Sequence, residues 1–272
     1  MHIKFCKDLL GVQIRTTNLG VLSELGEIPL CIYGKKNMAK NWNRICKEKK
    51  GNELLLSSYQ CNYPNDWGSN VKDYLSSIGM LNLFSENTTG EANDHSNRDT
   101  RDPAEEKPYD LVFNREKDMF NQTALYGLQT SSKLKTLAYL KNDTVCENYL
   151  LSVENIANRI ALTKFRLSNH NLMIEKGRHQ DVAFCDRSCP FCPDQIENEF
   201  HFLLKCPTYR ELRRKLLDDI KTSTIGFYYP QDENFLFWFL LKNPLIANLT
   251  GHFIRLAMEL RAFLLENPRR RD

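Results

Sequence analysis

The sequence predicts a mainly α protein, built of helical, bundle-like pieces with one small knuckle. Three observations carry this. Apolar residues recur at three- and four-residue spacing along most of the chain. Gly, Pro, Asn and Thr interrupt that spacing at intervals suited to short helices. The one clear break in helical rhythm is Cys189-Pro190-Phe191-Cys192, followed by the run from Glu197 to Pro207.

The elements can be justified in order. Residues 2–10 read as a helix that Gly11 ends. Thr16, Thr17 and Asn18 offer capping oxygens for a second helix carrying Leu19, Leu22 and Leu25, stopped by Gly26. Pro29 suits the first turn of a third, running to about Lys47 with Ile32, Met38, Trp42 and Ile45 on its face. Lys35, Lys36, Lys40, Lys47, Lys49 and Lys50 make that helix and its end basic, either as a solvated face or as a nucleic-acid track. Asn65 or Asp66 caps a fourth, with Val71, Tyr74, Leu75, Ile78 and Leu81 at helical spacing.

Residues 85–107 then lack large apolar side chains, so they cannot offset their own ordering entropy. They are expected to be a disordered linker between a piece at 1–84 and a domain at 108–272, with His95 idle inside it.

Beyond it, Phe113, Phe120, Ala124 and Leu128 mark a long helix, and Leu134, Leu137 and Leu140 the next. Asp143 or Thr144 is expected to cap one holding Val145, Tyr149 and Leu150. Val153, Ile156, Ala157, Ile160 and Phe165 continue the pattern. Leu172 and Ile174 alternate with Met173 and Glu175, as in a short strand. After the knuckle, Tyr209, Leu212, Leu216 and Ile220 form one stripe of a helix, and Arg210, Arg213, Arg214 and Lys221 another. Asp218-Asp219 reads as its solvated end. The tail, with Phe235, Phe237, Trp238, Phe239, Leu240 and Leu241, then Phe253, Ile254, Leu256, Ala257, Leu260 and Leu264, reads as a helical pair covering the core. Its alternative role is a docking face for a protein partner.

The knuckle carries the chemistry. Cys189, Cys192, His201 and Cys206 fall at C-x2-C-x8-H-x4-C, three of nine cysteines within 18 residues. A C-x2-C turn presents two thiolates from one tight bend, here stiffened by Pro190. Residues 197–205 read as a short helix with Phe200, Leu203 and Leu204 on one face. An α-helix sets residues five apart about 140° from each other. Pro207 is expected to push Cys206 out of the helical region and back toward the site. The four ligands define a closed, structural Zn2+ site within 185–221, with Cys185 an alternative ligand that would leave His201 spare. Glu199 and His201, two apart on a helix, face away from each other and make no acid/base pair.

Composition sets outer limits. The chain is 42% hydrophobic with net charge +3, enough for a core and mildly basic. The start, Met1-His2-Ile3-Lys4, leads into a short amphipathic run without the apolar stretch of a secretory signal. The protein is expected to be intracellular, nuclear or cytoplasmic and not secreted, where clustered cysteines favour metal over disulfide. The Asn-x-Thr triplets at Asn87, Asn121, Asn142 and Asn248 then carry no meaning. Residues 235–241, the longest apolar run, fall far short of the roughly 20 needed to span a bilayer. No Gly-rich phosphate loop, Gly-x-Ser-x-Gly or His-Glu-x-x-His is present, and no small-molecule substrate is implied.

Cys189-Pro190-Phe191-Cys192, Glu199-Phe200-His201-Phe202-Leu203-Leu204 and Cys206-Pro207-x-Tyr209-x-x-Leu212-Arg213 resemble the zinc-binding segment at the carboxyl end of non-LTR (LINE-type) retrotransposon reverse-transcriptase polyproteins. The run from Arg159 through Leu162-Thr163-Lys164-Phe165-Arg166-Leu167-Ser168-Asn169-His170 to Gly177-Arg178 is similar to the same family. So is the start, with Lys4-Phe5-Cys6-Lys7, Leu10-Gly11-Val12 and Glu24-Leu25-Gly26, which looks like the segment just after the polymerase palm. The resemblance covers roughly 1–60 and 109–220. The palm itself and its paired metal-binding aspartates have no counterpart here, so it implies a catalytically silent carboxyl fragment.

Residues 159–215 hold eleven cations against seven anions, a net +4 where the whole chain has +3. Cations supply non-specific phosphate affinity, and Phe165, His170, His179, Phe191 and Tyr209 offer stacking faces. The expected function is nucleic-acid (RNA or DNA) binding through the knuckle and the basic helix, with Arg166, Arg178, Arg210, Arg213 and Arg214 as contacts. The alternatives are a zinc-stabilised protein-interaction module and a relic without function.

Overall fold

The computed structural model describes residues 1–47, 67–84, 107–223 and 230–267. Residues 85–106 of the linker expected at 85–107, the caps Asn65 and Asp66, and the cations Lys49 and Lys50 lie outside the described residues. The described chain is mainly α, with one two-stranded antiparallel sheet. None of its helices is long and apolar enough to cross a membrane.

Two compact units are formed, Met1–Glu27 with Thr123–Asp272, and Ile28–Gln122. The boundaries differ from those expected at 84 and 108, which both fall inside the second unit. The reason is packing. Val112, beyond the compositional break, is buried with Ala39, Trp42, Val71 and Leu75. Glu116 accepts hydrogen bonds from Lys35 Nζ (2.8 Å) and the Tyr74 hydroxyl (2.6 Å), so it joins three helices. These helices are α3 (Leu30–Lys47), α4 (Trp67–Ser77) and the first part of α5 (Pro108–Thr130). Ile78 and Leu81 pack on the same core, but past the end of α4: Gly79 turns the chain at φ 66° before a 3-10 turn at Leu81–Leu83.

The other unit begins with α1 (His2–Leu10) and α2 (Asn18–Leu25). Both end as expected, on Gly11 and Gly26 in the left-handed region at φ 65°, where their N–H groups return to the last-turn carbonyls. Gly26 is doubly constrained, because a Cβ there would lie 2.3 Å from the backbone nitrogen of Cys146. Then come the end of α5, α6 (Lys135–Leu140), α7 (Tyr149–Ser152) and α8 (Ile156–Arg166). The helix expected around Val145 is absent. Asp143 Oδ1 accepts from the Val145 N–H in a local turn, Val145 is exposed, and only Tyr149–Ser152 is helical.

The strand expected at Leu172–Glu175 is also corrected, to helix α9 (Met173–His179). A tertiary partner overrides the local alternation: the Glu197 carboxylate accepts from Met173 N (2.7 Å) and the Glu197 carbonyl from Ile174 N (3.0 Å). Two N–H groups that the first helical turn cannot satisfy internally are thus paired. The strands are β1 (Ser188–Cys189) and β2 (Cys192–Ile196), followed by α10 (Arg210–Ser223), α11 (Glu233–Lys242) and α12 (Ala247–Glu266).

Helix α12 lies closely against α8. A Cβ on Gly251 would stand 2.4 Å from the Asn158 carbonyl, so this approach needs glycine. Asn158 also donates to Asn248 Oδ1 (3.0 Å) and accepts from Arg255 Nε (3.1 Å). The α11–α12 pair covers the core, as one of the two readings of the tail required. Leu236, Phe237, Leu240, Leu241, Phe253, Ile254 and Ala257 are buried together with Leu162, Phe165, Phe202 and Tyr209.

Candidate metal centre

The first two donors come from the sheet. Cys189 pairs with Cys192 across the turn made by Pro190 and Phe191. The other two come from a short helical segment that begins beside Asn198, whose side chain accepts from the His201 N–H (2.8 Å). Over His201–Lys205 this segment widens to a π turn, with Cys206 N bonded to His201 O at 2.7 Å. In that turn, residues five apart are joined by one hydrogen-bonded ring, which brings together side chains that an α-helix would splay. Cys206 then leaves the helix at φ −56° and ψ 121°, the extended conformation that Pro207 demands. The proline effect was legible in the sequence and the π turn was not.

Together these devices place Cys189, Cys192, His201 and Cys206 so that their donor atoms all lie within 4.8 Å of one another, close enough to hold a metal ion. Cys206 Sγ stands 4.0 Å from Cys189 Sγ and 3.8 Å from Cys192 Sγ, far beyond the roughly 2.05 Å of a disulfide. Cys189, His201 and Cys206 are buried, and neither ring nitrogen of His201 has a hydrogen-bond partner. The alternative ligand Cys185 is exposed and outside the cluster. The thiols are electrostatically unequal. The hydrogen bond from Cys189 pulls Cys206 down to about 3, and raises Cys189 in turn, while burial raises Cys192.

Sequence reasoning missed the supports of the centre. Glu197 is fully buried and receives a bidentate pair from Arg261 Nε and Nη2, each at 2.7 Å, which fastens the knuckle to α12. Arg213 donates to the carbonyls of Leu203 (2.8 Å) and Cys206 (2.9 Å), which ties α10 to the end of the π turn. Phe202 sits beneath, against Phe165, Tyr209 and Phe253. Only Asn198 had a local signal, as an N-cap residue three before His201.

The arginines nominated as nucleic-acid contacts separate into three groups. Arg166 is corrected outright: it is 0% exposed and bound by Glu24 and Glu147, so no phosphate can reach it. Arg213 is spent on backbone carbonyls, and Arg178 is largely buried and paired with Glu175. Arg210 and Arg214 are exposed on α10, the latter bonded to Glu211 and Asp218. Among the named stacking faces, Phe165 and Tyr209 belong to the buried core.

No family model, curated protein or solved structure significantly matches this chain.

Proposed function

We infer that the centre holds one zinc ion as a structural staple, in a chain derived from a non-LTR retrotransposon that binds nucleic acid and performs no polymerase chemistry. The observation that carries this reading is the geometry of the sulfurs. A tetrahedral ion with metal–thiolate bonds of about 2.3 Å sets its ligand sulfurs about 3.8 Å apart. The two measured separations are 3.8 and 4.0 Å. Three thiolates and an imidazole are the soft and borderline donors that zinc favours, and four protein ligands leave no position for substrate. His201, with both ring nitrogens unpaired, gains a partner from the ion at one of them.

Nucleic-acid binding rests on the resemblance and on the chain's exposed cations, which on α10 are Arg210, Arg214, Lys215 and Lys221. The interaction-module reading has less to stand on. The tail spends most of its apolar surface internally, with Trp238 against Tyr139 and Phe237, and leaves Phe235 and Leu245 outside.

Zinc content of the purified chain, beside a Cys189→Ser/Cys206→Ser variant, tests the staple. One zinc per chain, lost in the variant together with helical circular dichroism, is the expected result. A folded, metal-free wild type would remove it. Titration with nucleic acid at increasing salt then tests the second half, since phosphate contacts make affinity fall steeply.

A further inference from the structure

A cavity of about 280 Å³ lies within the first unit, away from the knuckle. Its walls are the α1–α2 connection, the residues before α6, the segment joining α8 to α9, and α9 itself. Four cations line it: Arg15, Lys133, Lys176 and Arg178. The sole carboxylate there is Glu175, already paired with Arg178. The wall therefore carries a formal +3, as much as the whole chain's net charge.

The polar atoms of this wall are also unusual. Thr16 Oγ1, His170 Nδ1 and Arg178 Nε are buried and have no hydrogen-bond partner. The His170 side chain is 3% exposed, and its Nε2 is paired with Glu199 Oε1 at 3.1 Å. Buried donors are normally satisfied, and a cluster of orphans in one cationic cavity asks for an acceptor-rich anion. Phosphate has that chemistry.

A second cavity of about 330 Å³ shares Gln13, Asn169, His170 and Asn171 with the first, and adds Lys164, Arg255, Glu259 and Arg261. Arg255 pairs with Glu259 and Arg261 with Glu197, so Lys164 is the cation this second cavity adds without a carboxylate on it. The shared wall is rich in side-chain amides, which read base edges that are reachable only in unpaired strands.

We propose that these adjoining cavities bind a single-stranded nucleic acid, with a backbone phosphate on Arg15, Lys133 and Lys176. The proposal rests on the nucleic-acid reading above, and moves the interface from α10 to this groove.

The test uses the full zinc-loaded chain and a short fluorescein-labelled oligo(dT), followed by anisotropy across salt. Arg15 and Lys133 are exposed, so Arg15→Ala/Lys133→Ala should keep wild-type zinc content and circular dichroism. Its affinity should fall about tenfold or more, and its log–log salt slope flatten by up to about 0.7, the value for one lost single-strand phosphate contact. Arg210→Ala/Arg214→Ala should leave both nearly unchanged. The reverse pattern overturns the groove and keeps nucleic-acid binding on α10. Equal affinity for a duplex overturns the single-strand assignment. Saturable binding of inorganic phosphate without any oligonucleotide binding makes the cavity a free-phosphate site and overturns the proposal. No wild-type affinity for either nucleic acid at low salt removes this proposal and the reading beneath it.

Discussion

The metal centre and the cluster around Arg166 are two buried polar sites of the first unit that are held in opposite ways. The centre draws its four donors from 18 consecutive residues, within which a turn, a π segment and one proline aim them. The Arg166 cluster is assembled from the whole length of the unit. Arg166 Nε meets Glu24 Oε1 at 2.8 Å across 142 residues, Nη2 meets Glu147 Oε2 at 2.8 Å, and Nη1 donates to the Leu241 carbonyl at 2.7 Å. Lys141 completes it on Glu147 (2.8 Å), and Tyr149 lies under the guanidinium. Burial opposes the charge on Arg166, but Glu24 and Glu147 more than offset it and keep it cationic; burial also raises the Glu24 carboxyl against the pull of Arg166. Two cations balance two carboxylates. A local site can be specified by spacing, whereas a distributed one requires the fold to exist first.

Removing the metal should have the largest effect. Structural zinc in small modules contributes about 10–16 kcal/mol of apparent binding energy. Chelation or Cys206→Ser should therefore unfold the knuckle and loosen α10, seen as lost helical circular dichroism and a fall in melting temperature. A melting curve insensitive to chelator would collapse the contrast.

The next effect belongs to the distributed site. Arg166→Met leaves Glu24 buried without its main partner and should cost about 3–5 kcal/mol in denaturant unfolding. The double variant Arg166→Met/Glu24→Leu should recover much of that loss, because it removes the stranded charge. Additive losses instead would show that the pair is not a unit.

Acidity should act on the metal centre. The hydrogen bond from Cys189 lowers Cys206 while Cys189 and Cys192 are raised, so Cys206 is the readiest thiolate and zinc binding should displace about two protons near neutral pH. Zinc affinity should weaken about a hundredfold, or about 2.7 kcal/mol, per unit of falling pH near 7. Calorimetry in buffers of different ionisation enthalpy counts the protons, and a value near three would contradict the preformed thiolate.

Gly26→Ala tests the approach of α2 to the distributed site. The left-handed φ alone costs about 1–2 kcal/mol, and the Cβ meets backbone at Cys146, which should add to it. An unchanged unfolding midpoint would mean that this approach is loose. The smallest effect is expected on the surface: Arg214→Ala, with partners as exposed as itself, should change stability by about 0.5 kcal/mol or less. Arg166 and Arg214 thus mark the two extremes for one residue type.

The mainly α class, the helix ends at Gly11 and Gly26, and all four candidate ligands were legible in the sequence because each depends on residues a few positions apart. The ionic partners were not. Nothing near Arg166 announces Glu24, so a buried structural arginine was grouped with the exposed ones of α10. Likewise the alternation at 172–175 read as a strand, since the Glu197 carboxylate that caps helix α9 arrives from 24 residues away. The composition of 85–107 suggested a domain boundary that the packing of Val112 and Glu116 did not follow.

The sequence by itself determined where helices start and stop and which four side chains share one spacing, because propensity, capping and turn chemistry act over one or two turns. Only the tertiary structure decided which cations stay in water, which are consumed by carboxylates or carbonyls, and where free donors converge into a groove. Those outcomes depend on burial, and burial is set by contacts between residues far apart in the chain.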